Sequence, residues 1–213
     1  MDTNALIEAL ARDTAAVPRH AAALRLGLSL AGGMAVTLVV IAATLGFRPD
    51  LHLAMAGSMF WMKLAYTGSL ALIAIAALLS LIRPEARPPR WLWLLSVPVA
   101  LLGLVSAHEL AAMPQDDWSL IWLGQTWRIC SMLISLFALP AAGALVFFAR
   151  RFAPTRLRAT GAVIGLASSA VSATLYSLHC PEAGASFVLT WYSLGIVAAT
   201  ALGAALGPRL LRW

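Results

Sequence analysis

The stretch Arg150-Arg151-Phe152-Ala153-Pro154-Thr155-Arg156-Leu157-Arg158 decides the fold. It sets four arginines and a proline among nine residues, between two long apolar runs, 127–149 and 159–178. A helix rises 1.5 Å per residue, so about 20 apolar residues are needed to cross some 30 Å of hydrocarbon. Each run is long enough. Arginines that close such runs stay on the cytoplasmic side of a bilayer. The stretch therefore reads as a cytoplasmic turn between two membrane spans, and its neighbours can be placed from it in both directions.

Upstream lies the acidic connection 113–125 with Asp116 and Asp117, then the apolar run 91–112, with Pro98 inside it and His108-Glu109 near its far end. A second basic turn follows, Arg83-Pro84-Glu85-Ala86-Arg87-Pro88-Pro89-Arg90, then run 60–82 with Lys63, connection 48–58, and run 26–47 with Gly32-Gly33. Downstream come connection 179–186, run 187–206 and a basic tail, 207–213. Pro140 is expected to kink its span. The expectation is an all-α membrane protein: a six-transmembrane-helix bundle, 26–206, behind a cytoplasmic segment 1–25, with both termini cytoplasmic. Composition agrees. The chain is 61% hydrophobic and 11% charged, with a mean hydropathy of +0.85, where a soluble domain carries about a quarter charged residues. Of its 15 basic residues, all but Arg48, Lys63 and Arg128 fall on one side of this arrangement. The net charge of +6 thus reads as positive-inside bias, not as nucleic-acid binding. Trp61, Trp118, Trp122, Trp127 and Trp191 sit at the outer interface, and Trp91, Trp93 and Trp213 at the inner one. The first apolar run follows about 25 polar or mixed residues and is too long for a signal-peptide core of roughly 7–15, so it is expected to be a retained span.

In the amino-terminal segment Asp2 or Thr3 can cap a helix, and Leu6, Ile7, Leu10, Thr14 and Val17 recur at helical spacing, with Glu8, Arg12 and Asp13 elsewhere. Pro18 is expected to end it. Such a short amphipathic helix either lies on the membrane or enters a partner's groove. Small residues recur in the fifth span (Gly161, Gly165, Ser168, Ser169, Ser172, Ala173) and in the sixth (Gly195, Ala199, Gly203), which predicts close helix packing. Intrachain packing is the favoured use; a homodimer is the other.

Few residues suggest chemistry. Lys63 is the one charge well inside a span, a suspect for transport, yet Trp61 places it near the interface, where its ammonium is expected to snorkel outward. The spans carry no repeated acid or histidine positions, and the chain has no phosphate loop, Ser-x-x-Lys or His-Glu-x-x-His. No enzyme activity and no cofactor are expected. The two cysteines differ from the rest: Cys130 lies one turn inside the fourth span and Cys180 in the connection after the fifth, both on the extracytoplasmic side. Such a pair can form a disulfide, bind a thiophilic metal or be oxidised; the plain alternative is two buried small hydrophobes. His179 beside Cys180, and His108 and Glu109 at similar depth, are candidates to complete a metal site.

Motifs in order along the chain add a resemblance. They are Leu6-Ile7-x-x-Leu10; Trp127-x-x-Cys130; Ala138-Leu139-Pro140; Arg150-Arg151-x-Ala153-Pro154; Gly161-x-x-x-Gly165-Leu166; Tyr176-x-x-His179-Cys180-Pro181-Glu182; Trp191-Tyr192; and Leu211-Arg212-Trp213. Together they resemble the six-span bacterial inner-membrane anti-sigma factors related to the negative regulator of sigma factor F. The resemblance implies a protein that holds an extracytoplasmic-function sigma factor at the lipid bilayer and releases it under metal or oxidative stress. It implies that Cys130 and Cys180 are the functional cysteines, with His179 beside them, and that Leu6, Ile7 and Leu10 contact the sigma factor, with Arg83, Arg87, Arg150 and Arg151 adding contacts. The rival readings are a small transporter or metal-handling membrane protein using Lys63, His108, His179 and the cysteines as a path, and a structural subunit of a membrane complex.

Overall fold

The computed structural model describes residues 2–12, 21–83 and 89–212. The side chains of Leu6, Leu10 and Arg12 lie outside the described residues, as do Thr14, Val17, Pro18, Arg87 and Trp213. Among the described residues there is no strand. Helix α1 (Thr3–Arg12) precedes six helical runs long and apolar enough to cross a membrane. The first is α2 (Ala21–Thr44). A short α3 (Leu51–Ala56) leads into the second, α4 (Ser58–Leu81). The third begins as a tighter 3-10 segment (Arg90–Leu95) and continues as α5 (Ser96–Ala111). The fourth is assembled from α6 (Trp118–Leu123), α7 (Trp127–Phe137) and α8 (Leu139–Arg150). The fifth is α9 (Leu157–Tyr176). The sixth joins α10 (Ala185–Phe187), a π-helical turn (Val188–Tyr192) and α11 (Ser193–Leu210).

All six apolar runs became helices, with boundaries moved by a few residues. The connections were less well read. Connection 113–125 is mostly helical: a 3-10 turn (Gln115–Asp117) and α6 occupy it, because Trp118, Leu120, Ile121, Trp122 and Leu123 are apolar enough to continue the run. Pro98 breaks nothing. It stands in the first turn of α5, where a missing N–H costs little. Pro140 does interrupt its span, between α7 and α8 at Ala138. The break is compensated from a neighbouring helix, as the Thr37 hydroxyl donates to the Phe137 carbonyl at 3.1 Å.

Helix α9 is the centre, and most of its residues are buried. α11 and α4 pack along it, α8 joins them, and α2 lies on α8. α5 is peripheral, with only Leu102 and Ser106 buried among its residues. The α9–α11 contact is the tightest. A Cβ placed on Gly161 would stand 2.2 Å from the Gly203 carbonyl oxygen, and one on Gly165 would stand 2.3 Å from that of Ala199. The small-residue faces are therefore spent within the chain, as intrachain packing predicted.

The core divides into two clusters along the bundle. One, at the Cys180 end, gathers Cys130, Ile134, Tyr176, Cys180, Phe187 and Tyr192. The other, at the arginine end, gathers Leu26, Leu78, Leu145, Phe148, Ile164 and Leu211.

Candidate functional site

The site is built where α9 stops. Tyr176 accepts from the backbone N–H of both His179 (2.9 Å) and Cys180 (3.0 Å), closing the last turn. Cys180 precedes a proline, which pushes its backbone out of the helical region. In the extended segment that follows, residues two apart face the same way. The carbonyls of Cys180 and Glu182 consequently meet one donor, the Lys63 ammonium, at 3.1 and 2.5 Å.

Lys63 corrects the sequence reading. It does not snorkel: the residue is 1% exposed. Removing an ammonium from water costs several kcal/mol unless its protons are satisfied. Here the post-helical segment folds over Lys63 and supplies two carbonyl acceptors, which the interface would otherwise have supplied as water.

The two thiols come together. Both are fully buried and unpaired by a disulfide. Cys130, on the first turn of α7, stands in thiol–thiol contact with Cys180. That contact, the Lys63 ammonium and the Glu182 backbone N–H together lower the Cys180 pKa, against the opposing effect of burial. Beside the Cys180 sulfur lies the Tyr192 hydroxyl, which is buried without a hydrogen-bond partner. A small cavity of about 150 Å³ approaches this cluster, lined by Arg48, Phe60, Lys63 and Glu182 among others.

Two glutamates lock the segment down. One Glu182 carboxylate oxygen accepts from the Gln125 N–H (2.7 Å), the Thr126 N–H (3.0 Å) and the Thr126 hydroxyl (3.1 Å). It thereby sits at the start of α7, where helix N–H groups attract negative charge. Gly124 makes room for it: its φ is +56°, and a Cβ there would stand 2.5 Å from the Glu182 carboxylate. Glu109 does the same for α10, accepting from the N–H groups of Ala185 (2.9 Å) and Ser186 (3.3 Å).

The histidines are placed otherwise. His179 donates from Nδ1 to the Gly46 carbonyl at 2.9 Å and packs its ring on Tyr176. His108 is exposed on α5, since its helical neighbour Glu109 takes the inward position. Among the described residues, no group of three or more His, Cys, Asp or Glu side chains is placed to hold a metal ion. Of the candidate site residues, Cys130 and Cys180 meet directly, His179 braces the segment from its other side, and His108 stands apart. Ile7 is exposed on α1. Sequence reasoning named Tyr192 only within the Trp191-Tyr192 motif and gave it no role, missed Gly124, and misassigned Lys63. A lone charge inside a span was the available signal for Lys63; the Trp191-Tyr192 motif was the signal for Tyr192, and Gly124 carried none.

At the opposite end Arg150 donates to the Leu210 carbonyl, tying α8 to α11, and Arg151 lies over the Phe147 ring. Arg83, Arg150 and Arg151 are exposed.

Fold and site define an all-α bundle of membrane-length helices with a buried dithiol centre at one end. The family model described as negative regulator of sigma F matches residues 10–213, and the chain belongs to that family. It is 37% identical to a protein named probable anti-sigma-F factor in Azospira oryzae, over 213 residues covering the whole of both chains. It is also 37% identical, again over the full length of both, to the anti-sigma-F factor of Caulobacter vibrioides. No solved structure matches.

Proposed function

We propose that this chain is a multi-pass membrane anti-sigma factor that holds an extracytoplasmic-function sigma factor inactive and releases it when Cys130 and Cys180 are oxidised or metallated. The observation that carries the reading is the full-length similarity to two anti-sigma-F factors. The arrangement of the site supports the sensing half, because the two thiols meet at one end of α9. In this reading both termini and the arginine end are cytoplasmic, and the Cys180 end is extracytoplasmic. α1 is the docking helix: its described side chains are exposed, with Ile7 60% exposed. Leu6, Ile7 and Leu10 contact the sigma factor, and Arg83, Arg87, Arg150 and Arg151 add contacts to an acidic surface.

A signal releases the partner only if it favours one state of the bundle over the other. Modifying the thiols changes how α7 meets the end of α9. α8 continues from α7 to the arginine end, so the change has a covalent path there. A sigma-dependent reporter in cells carrying Cys130→Ser and Cys180→Ser together, with and without cadmium or hydrogen peroxide, tests this. The response is expected to vanish, and an unchanged response removes the sensor role. Deleting residues 2–18 is expected to free the sigma factor; continued co-purification removes the docking helix.

A further inference from the structure

We propose that the two thiols have unequal roles: an oxidant attacks Cys180 first, Cys130 resolves the product into a disulfide, and Lys63 is the positioning residue that sets this order. The inference rests on the proposed function and deepens its oxidative arm.

Three observations separate the two sulfurs. First, Lys63 grips the Cys180 backbone at 3.1 Å and the Glu182 backbone beyond it, so the buried ammonium acts on Cys180 more strongly than on Cys130. Second, the buried Tyr192 hydroxyl lies against the Cys180 sulfur, near Ser177, without a well-formed hydrogen bond. It is a donor held ready for a thiolate or a sulfur-bound oxygen. Third, the cavity is lined by Lys63 and by Glu182 and Ala183, the residues that follow Cys180 in the chain. Cys130 shares the same apolar packing and has the Tyr176 hydroxyl beside it, but the Lys63 ammonium is bonded to the Cys180 segment. A cation and polar donors favour a thiolate, and the thiolate is the reactive form.

With hydrogen peroxide as oxidant the steps balance. The Cys180 sulfur attacks one peroxide oxygen, the S–O bond forms and the O–O bond breaks. The departing hydroxide takes a proton and leaves as water. Cys180 is oxidised to a sulfenic acid and the peroxide is reduced. The Cys130 sulfur then attacks Cys180, forming the S–S bond and breaking S–O. The Cys130 proton leaves with the hydroxyl as a second water. The Tyr192 O–H is placed to donate to the oxygen as it departs.

The test uses full-length protein in lipid nanodiscs, hydrogen peroxide, and a dimedone probe for sulfenic acid read by mass spectrometry. Cys130→Ser is expected to accumulate the adduct on Cys180. Cys180→Ser is expected to label Cys130 at least about tenfold more slowly, since thiolate fraction changes tenfold per pKa unit. In the Cys130→Ser background, labelling should rise with pH and level off below the ordinary thiol range of about 8.5. Lys63→Met should move that profile upward and slow labelling near neutral pH, and Lys63→Arg should restore it. Equal labelling of the two single-serine variants overturns the inference, as does an unmoved profile in Lys63→Met or no adduct on either thiol. If Lys63→Met does not fold, the single-serine pair decides alone. Sigma-factor retention is read in the same samples. Release that needs both cysteines beside symmetric labelling defeats this inference only. Asymmetric labelling with no effect on retention supports the thiol order and defeats the sensor reading.

Discussion

The two ends of the bundle are held by different physics. At the Cys180 end the holding forces are directional: one ammonium on two carbonyls, one carboxylate on three donors at Gln125 and Thr126, and another on Ala185 and Ser186. Along α9 toward the arginine end the holding force is contact. Gly161 and Gly165 lie against the backbone of Ala199 and Gly203, with no room for a methyl group. Directional bonds that depend on charge can be rewritten by one chemical event. A glycine contact cannot, because its alternative is separation of two helices. One end suits a switch, and the other suits a rigid body on which the switch acts.

The comparison can be broken at its stiff end first. Gly165→Ala sets a Cβ 2.3 Å from the Ala199 carbonyl oxygen, with backbone on both sides and no flexible side chain to yield. Overpacking of this kind costs about 3 kcal/mol, and thermal unfolding in detergent should show it as the largest loss in the set. A variant as stable as the parent would mean the helices can part, and the contrast between the ends would fail.

Glu182→Ala comes next. It strips the acceptor from two N–H groups and a hydroxyl at the start of α7, for a loss of about 2 kcal/mol. Its signature is local: amides at Gln125 and Thr126 should exchange hydrogen faster while α9–α11 amides stay protected. Uniform acceleration would show that the two ends unfold together.

Thr37→Val lies between the ends, at the break in the fourth span. It removes the donor to the Phe137 carbonyl and should cost about 1 kcal/mol. A serine there should recover most of the loss, and failure to recover would assign the effect to packing.

The smallest effect is expected at Asp50. The hydrogen bond from Arg48 lowers the Asp50 carboxyl pKa. A lowered acid pKa stabilises the fold above the unfolded-state value and loses that stabilisation as pH falls through the folded one. The pair is solvent-facing, and exposed ion pairs contribute little. Asp50→Asn should therefore cost little at neutral pH, and even that small difference from the parent should disappear as pH falls and the parent's Asp50 is protonated. A clear neutral-pH loss would extend the directional lock to the loop between α2 and α4.

How much was legible follows from the same division. The glycine contact was readable because small residues at steps of three and four leave a gap on one helix face, and Gly161-x-x-x-Gly165 met its complement in Ala199 and Gly203, with Gly207 added, while Gly195 lies instead against Ser131 and Ile134 of α7. The lock was not readable. Lys63 and Glu182 are 119 residues apart in the chain, and no periodicity couples them. Trp61 pointed Lys63 toward water because a sequence shows depth along a helix but not what folds over it. His108 and Glu109 looked equivalent as neighbours, yet one helical step turns the first outward and the second toward Ala185.

By itself the sequence determined that this chain is all helix, where six apolar runs lie, where Pro140 interrupts one of them, and which faces are small enough to pack closely. These follow from local apolar length, backbone chemistry and periodicity. Only the tertiary structure decided that Cys130 and Cys180 meet, that Lys63 is buried under Cys180 and Glu182, and that Tyr192 stands unpartnered beside them. Those facts depend on how the ends of separate helices come together, and no window of sequence contains more than one partner of each contact.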